Sequence, residues 1–166
     1  KMSSEDIYFE LSPWVAKKIA PSSVVHGTLM SIYGIGVLIT GDSGTGKSEA
    51  AMELLKQGHM FIGDDAIEVY NYGQAIYGHP SDIAKQFIEV RGLGILDVSR
   101  MFGWQKTLQE SQIDMIVHLV NPELGKKKLN DFERLGTEQV KEKIRGVYLP
   151  KYFIPNMVSY LIWNIL

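Results

Sequence analysis

The sequence contains no cysteine, and that absence removes three kinds of chemistry at once. Without thiols there is no disulfide framework, no thiolate metal site and no cysteine nucleophile. A surplus of charge is also lacking: 17 Lys and Arg stand against 19 Asp and Glu, a net charge of −2. No global field therefore draws the chain to nucleic acid or to an anionic membrane, and any docking patch has to be local. No apolar run approaches the about 18–20 residues of a membrane span, and the opening residues do not read as a secretory leader. Internal repeats, low-complexity tracts and dividing linkers are missing too. What remains is 166 residues, 45% of them hydrophobic, with 16 glycines that composition alone leaves unexplained. That length buries one ordinary core without staples, so the expectation is a single soluble, cytoplasm-compatible domain. The first residue is Lys1 rather than methionine, and the expectation is a piece of a longer protein.

Local patterns divide the chain into elements. Ser12 followed by Pro13 predicts an N-cap and first helical residue, with Trp14 and Ile19 on one face. Two β-branched runs, 24–32 and 36–40, flank Tyr33-Gly34-Ile35 and predict a hairpin or two neighbouring strands. Residues 48–57 predict a helix stopped by Gly58. Strands are expected at 60–62, 67–70 and 76–80, with a turn at Asn71-Tyr72-Gly73. Residues 87–90 read as extended before the glycine-broken Arg91-Gly92-Leu93-Gly94, and Asp97 predicts the cap of a short helix ending near Gly103. Residues 113–120 form the clearest buried strand of the second half. A helix start is expected over 137–143, acidic early and lysine-rich late as the macrodipole prefers. Residues 147–154 read as extended, and 156–166 as an apolar closing element.

Chemistry enters with Gly41-Asp42-Ser43-Gly44-Thr45-Gly46-Lys47-Ser48, a phosphate-loop pattern. Its glycines let successive N–H groups turn inward on phosphate oxygens, and the helix that follows adds its positive end. Lys47 reaches β- and γ-phosphates, and the Ser48 hydroxyl binds Mg²⁺. The context fits: strand-like Val37-Leu38-Ile39-Thr40 leads in and helical Glu49-Ala50-Ala51-Met52 leads out. Asp64 and Asp65 follow the apolar Met60-Phe61-Ile62, where a strand end presents carboxylates to bound phosphates. One of the pair could hold Mg²⁺, directly or through water, and the other could accept a proton from an attacking hydroxyl.

Other polar residues have plainer readings beside any functional one. His26, within a strand-like run, reads on the residues alone as a hydrogen-bonded structural histidine before it reads as anything else. Glu89 alternates with Ile88 and Val90 as the polar face of a strand does. Arg91 is a surface charge or a substrate contact, and Arg134 a partner of the acidic residues beside it. His59, His79 and His118 lack metal-ligand spacing. Lys126-Lys127-Lys128 reads first as a solvated loop and only weakly as a docking patch.

The run Ile88-Glu89-Val90-Arg91-Gly92-Leu93-Gly94-Ile95-Leu96-Asp97-Val98 narrows the reading. With the phosphate loop and Gly63-Asp64-Asp65-Ala66, it resembles the catalytic domain of bacterial HPr kinase/phosphorylase. The likeness takes in Val25-His26-Gly27, residues 33–40 and Asp131-Phe132-Glu133-Arg134-Leu135-Gly136, so it spans about 20–136. The resemblance implies an α/β fold: a single phosphate-loop domain with a β-rich core, like the phosphoenolpyruvate carboxykinase-like nucleotide-binding fold. It implies a cytoplasmic, hexameric enzyme that phosphorylates a serine of HPr, the phosphocarrier of the sugar phosphotransferase system. Mg²⁺ with ATP, or pyrophosphate, supplies the phosphoryl group, and inorganic phosphate removes it again to give pyrophosphate. Residues 1–166 correspond to the catalytic domain, with the family's N-terminal domain outside this chain.

By the same resemblance, Lys47 handles phosphate and Ser48 Mg²⁺, Asp65 is the base that takes the serine proton, and Asp64 is its metal-side neighbour. Glu89 is a further Mg²⁺ ligand, and His26 and Arg134 complete the active site. Two stretches depart from the family pattern. The Pro-x-x-x-Gly-Arg-Asn-like loop lacks its Gly-Arg centre, since Leu149-Pro150-Lys151-Tyr152-Phe153-Ile154-Pro155 runs straight into Asn156-Met157-Val158. Trp104-Gln105-Lys106-Thr107 likewise replaces a Gly-Ala-Val-Arg-like run. Both bear on the dephosphorylating direction more than on the kinase direction. Two alternatives share the phosphate loop: a kinase of a small metabolite, and a nucleotide-sensing module without turnover.

Overall fold

A computed structural model describes residues 20–81, 85–120 and 140–155, together with residues 11, 12 and 15. Leu11, Ser12 and Val15 have helical backbone, so the helix is under way at Leu11 and Ser12 is not its cap. Pro13, Trp14 and Ile19 lie outside the described residues.

The apolar run 24–32 is two strands rather than one, β1 (Ser22–His26) and β2 (Thr28–Ile32). They part at Gly27, where a Cβ would stand 2.6 Å from the Ile39 carbonyl oxygen. β2 turns through Tyr33-Gly34 into β3 (Ile35–Gly41), its antiparallel partner. α1 (Lys47–Lys56) follows, ended at Gln57 and Gly58 as expected. β4 (Met60–Gly63), β5 (Ala66–Tyr72) and β6 (Ala75–Pro80) come next, with the turn at Gly73-Gln74. β7 (Phe87–Val90) and β8 (Gly94–Asp97) make a hairpin. Asp97 caps α2 (Val98–Phe102) by accepting a hydrogen bond from the Arg100 N–H, and Gly103 ends it. A short 3-10 turn (Trp104–Lys106), β9 (Ser111–Gln112) and β10 (Met115–Val120) complete that stretch.

The helix expected over 137–143 is corrected: Lys141–Ile144 is a strand, β11, paired antiparallel with β12 (Val147–Pro155). Arg145 and Gly146 both have positive φ, 46° and 89°, which is the backbone of a tight two-residue hairpin turn. The lysines that suit a helix C-terminus also suit an outer strand, where they discourage edge pairing. β11 is such an edge. Residues 121–139 and 156–166, including the Lys-rich connection and the Asp131–Gly136 motif, lie outside the described residues.

The strands form a six-stranded sheet in the order β11-β12-β10-β3-β2-β4, a four-stranded sheet β1-β5-β6-β9, and the β7-β8 hairpin. Alternation along the central strands sends side chains to two cores. Leu29, Leu38 and Ile116 meet Ile67, Val69 and Ile76 of the four-stranded sheet. Met30, Val37, Ile39 and Phe61 meet Ala51 and Leu55 of α1, with Ile88 and Val90 of the hairpin. The result is three layers, sheet on sheet with a helix and hairpin outside, a β-rich α/β architecture as the resemblance implies.

Candidate active site

β3, β10 and β12 run parallel at the centre of the large sheet. Their carboxyl ends lie together, Leu119 opposite Gly41 and Val120 opposite Pro155. In a parallel sheet this is the end where ligands bind, since loops and helix N-termini converge there. The phosphate loop leaves β3 at that end. Gly41 has φ 151°, and a Cβ on it would stand 2.7 Å from both the Leu119 carbonyl oxygen and Thr45 Oγ1, so no larger residue fits. Thr45 N–H and Oγ1–H both donate to the Asp42 carbonyl, which closes the loop. Gly46 opens α1 from a left-handed conformation with no side-chain cap. The first N–H groups of α1 therefore have no side-chain partner of their own helix cap and face the loop, an arrangement suited to anionic oxygens. Lys47 Nζ donates to the Gly41 and Asp42 carbonyls, at 3.0 and 3.3 Å, and so holds its charge at the loop's mouth.

β4 enters from the other side. Gly63 pairs with Leu29, one residue beyond Thr28, and Thr28 itself faces Ile39 near the end of β3. Asp64 follows and is buried, 5% exposed. Burial of a carboxylate demands donors, and three elements supply them. Thr28 Oγ1–H donates to Oδ1 at 2.5 Å, Ser48 Oγ–H donates to Oδ2 at 3.0 Å, and the Glu89 N–H approaches Oδ2 at 3.4 Å. Asp64 thus ties β2, the phosphate-loop helix and the β7-β8 hairpin into one site.

Asp65 is the opposite of its neighbour. It sits in left-handed backbone, φ 66°, with its side chain 88% exposed. Its carbonyl accepts from Gly27 N–H, and His26 Nδ1 lies 3.1 Å from the same oxygen and 3.8 Å from Asp65 Oδ1. His26 is therefore hydrogen-bonded as its strand context suggests, yet exposed and beside Asp65. The exposed Glu89 side chain leaves a backbone that touches Asp64, so it belongs to the same cluster. Arg91 Nη1 lies 3.6 Å from where a Cβ on Gly44 would stand, which puts this guanidinium beside the phosphate loop. Ser43 lies in that loop and is exposed. Arg134 lies outside the described residues. Of the sites expected from sequence, then, His26, the loop 41–48, Asp64, Asp65 and Glu89 converge.

Thr28 was not legible as a site residue. The signal was faint, a polar residue opening the apolar run Thr28-Leu29-Met30, and it is fully buried. The remaining histidines have structural partners: His59 packs on Tyr33, His118 pairs with Thr40 Oγ1, and His79 contacts the Pro80 carbonyl. Among the described residues no three His, Asp or Glu side chains cluster as a preformed metal site. At the loop, the Ser48 hydroxyl and the Asp64 carboxylate it donates to are hard oxygens that fit Mg²⁺ completed by phosphate oxygens and water. Among the described residues no helix is long and apolar enough to cross a membrane.

Comparison with known proteins points the same way. The model of the HPr serine kinase C-terminal domain matches residues 17–165, further toward both ends than the motifs alone reach. HPr kinase/phosphorylase of Mycoplasma pneumoniae is 43% identical over 152 residues, 92% of this chain and 48% of that protein. That of Lactiplantibacillus plantarum is 43% identical over 156 residues, 93% of this chain and 48% of that protein. The chain thus spans about half the length of these relatives. The solved HPr(Ser) kinase/phosphatase of Coxiella burnetii superposes with a TM-score of 0.73 at 28% identity, covering 87% of this chain and 93% of that one. A phosphate loop whose serine is bonded to a buried aspartate, an exposed aspartate next to it and a family match over nearly the whole length lead to one assignment: the chain belongs to the HPr serine kinase C-terminal domain family.

Proposed function

We propose that this chain is the catalytic part of a serine kinase/phosphorylase acting on HPr, with ATP or pyrophosphate as phosphoryl donor and inorganic phosphate as acceptor in reverse. The observation that carries the reading is the division of labour between adjacent carboxylates: Asp64 is buried and bonded to the phosphate-loop serine, while Asp65 projects into solvent beside His26. A nucleotide kinase needs the first, and an enzyme that deprotonates a hydroxyl on a protein surface needs the second.

In this reading the loop N–H groups and Lys47 hold the phosphates, and Ser48, Asp64 and Glu89 would hold Mg²⁺ directly or through water. The bound cation offsets charge on the phosphoryl oxygens. Asp65 accepts the proton of the substrate serine as its oxygen bonds to the terminal phosphorus and the bridging P–O bond breaks. His26, beside the Asp65 carbonyl, orients that turn, and Arg134 completes the site. In reverse, inorganic phosphate attacks the phosphoserine phosphorus, Asp65 returns its proton to the leaving serine oxygen, and pyrophosphate forms. Phosphate already carries its charge and needs no strong base. The enzyme works in the cytoplasm as a homo-hexamer, as its family resemblance implies, and residues 1–166 are its catalytic domain.

The test is Asp65→Asn. HPr phosphorylation should fall by at least about a thousandfold, in line with loss of a catalytic base, while ATP affinity measured by calorimetry stays within about twofold. Equal loss of ATP binding would overturn the assignment of the base.

A further inference from the structure

The Ser48 hydroxyl has one proton and two lone pairs. To ligate a cation it must send its proton elsewhere, and in this structure the proton points at Asp64 Oδ2. Whether Oδ2 stays there depends on what holds the other oxygen. Asp64 Oδ1 is held by Thr28 Oγ1–H at 2.5 Å, from a side chain with no exposed surface. The Glu89 N–H, at 3.4 Å, is the weaker contact and falls on Oδ2, so it does not replace Thr28. Thr28 is also fixed in place by its strand, with Ile39 opposite it in the β2-β3 register.

We propose that Thr28 is a positioning residue for the divalent cation of the phosphate loop, orienting Asp64 so that Ser48 turns its lone pairs outward. The inference rests on the reading that Ser48 holds the cation bound with nucleotide. Residues one bond removed from a metal typically change its affinity by about 10–100-fold when lost. A merely structural threonine would instead lower nucleotide affinity and folding stability together, with or without the cation.

Calorimetry of ATP binding to this chain, with excess Mg²⁺ and with EDTA, separates the two. Thr28→Val keeps the shape and removes the donor; Thr28→Ser keeps the donor. The Mg²⁺-dependent gain in ATP affinity should fall by about tenfold or more in Thr28→Val, while Thr28→Ser keeps it and the affinity in EDTA stays near that of the wild type. Thr28→Ala carries the same test should the valine variant not fold. A wild-type gain in the folded variant lacking the hydroxyl overturns the proposal, as does a parallel loss in EDTA. Ser48→Ala is the control for the underlying reading: if it keeps the full gain, the cation site at Ser48 fails, and the role of Thr28 with it.

Discussion

At the scale of single residues, environment rather than identity separates Asp64 from Asp65. Both follow an apolar strand and look alike in the sequence, so the residues alone leave open which of them meets metal and which meets substrate, and only the family resemblance separates them. Three donors and burial settle Asp64 into the phosphate-loop side, and left-handed backbone turns Asp65 outward. Such a distinction needs the register of β2 against β4, a long-range fact that no local pattern encodes. His26 shows the same limit: its strand-like context suggested a hydrogen-bonded structural histidine, and the fold does set its Nδ1 3.1 Å from the Asp65 carbonyl oxygen, but on an exposed side chain beside Asp65. The phosphate loop, by contrast, was legible because each of its positions answers to local backbone chemistry. Ser48→Ala should lower Mg²⁺-dependent ATP affinity by about tenfold or more and, by taking a donor from the buried Asp64, should also lower the melting temperature, as calorimetry and thermal melts would report. Gly41→Ala should be worse for the fold, because its Cβ meets the Leu119 carbonyl at 2.7 Å. Strain of this kind costs about 1–3 kcal/mol, so the melting temperature should drop and ATP binding should be lost together.

Among the elements, most strands and the Asp97 cap were readable, while the single strand over 24–32 and the helix over 137–143 were not. Asp97, α2 and Gly103 fall where the capping pattern puts them. The hydrogen bond from Ser99 Oγ–H to Asp97 is the main cause holding that carboxyl below its ordinary 3.8, with the Arg100 N–H adding to it. Its contribution is therefore fully present above pH 3.8 and is lost as pH falls through the lowered value in the folded state. Asp97→Asn should lower the melting temperature at neutral pH, and the gap from wild type should close in strong acid. A gap that widens in acid would contradict the cap. The 141–144 segment failed as a helix because its charge pattern serves an edge strand equally well, and the deciding signal was the Arg145-Gly146 turn beyond it. Gly27 likewise separates two strands by the close approach of another chain segment, which a reading of one strand at a time misses.

For the molecule as a whole, the layered fold brings the ends of β3, β4, β10 and β12 to one edge, together with the hairpin that bears Glu89 and Arg91. A metabolite kinase would need the phosphate loop but has no reason for that hairpin, and a nucleotide sensor has no reason for an outward-facing Asp65. The proposed protein-serine kinase activity joins both features in one account. Its phosphorylase direction is the more exposed half, because the Gly-Arg centre of the family's C-terminal loop is not in this sequence. Excess inorganic phosphate added to phosphorylated HPr with this chain should release pyrophosphate in a coupled assay, and the absence of pyrophosphate would contradict the phosphorylase direction. The most direct test of the central claim is to incubate this chain with Mg-ATP and HPr and map the product by mass spectrometry. A single phosphoserine on HPr, lost with Asp65→Asn, is the predicted result; ATP bound but HPr left unmodified would contradict it.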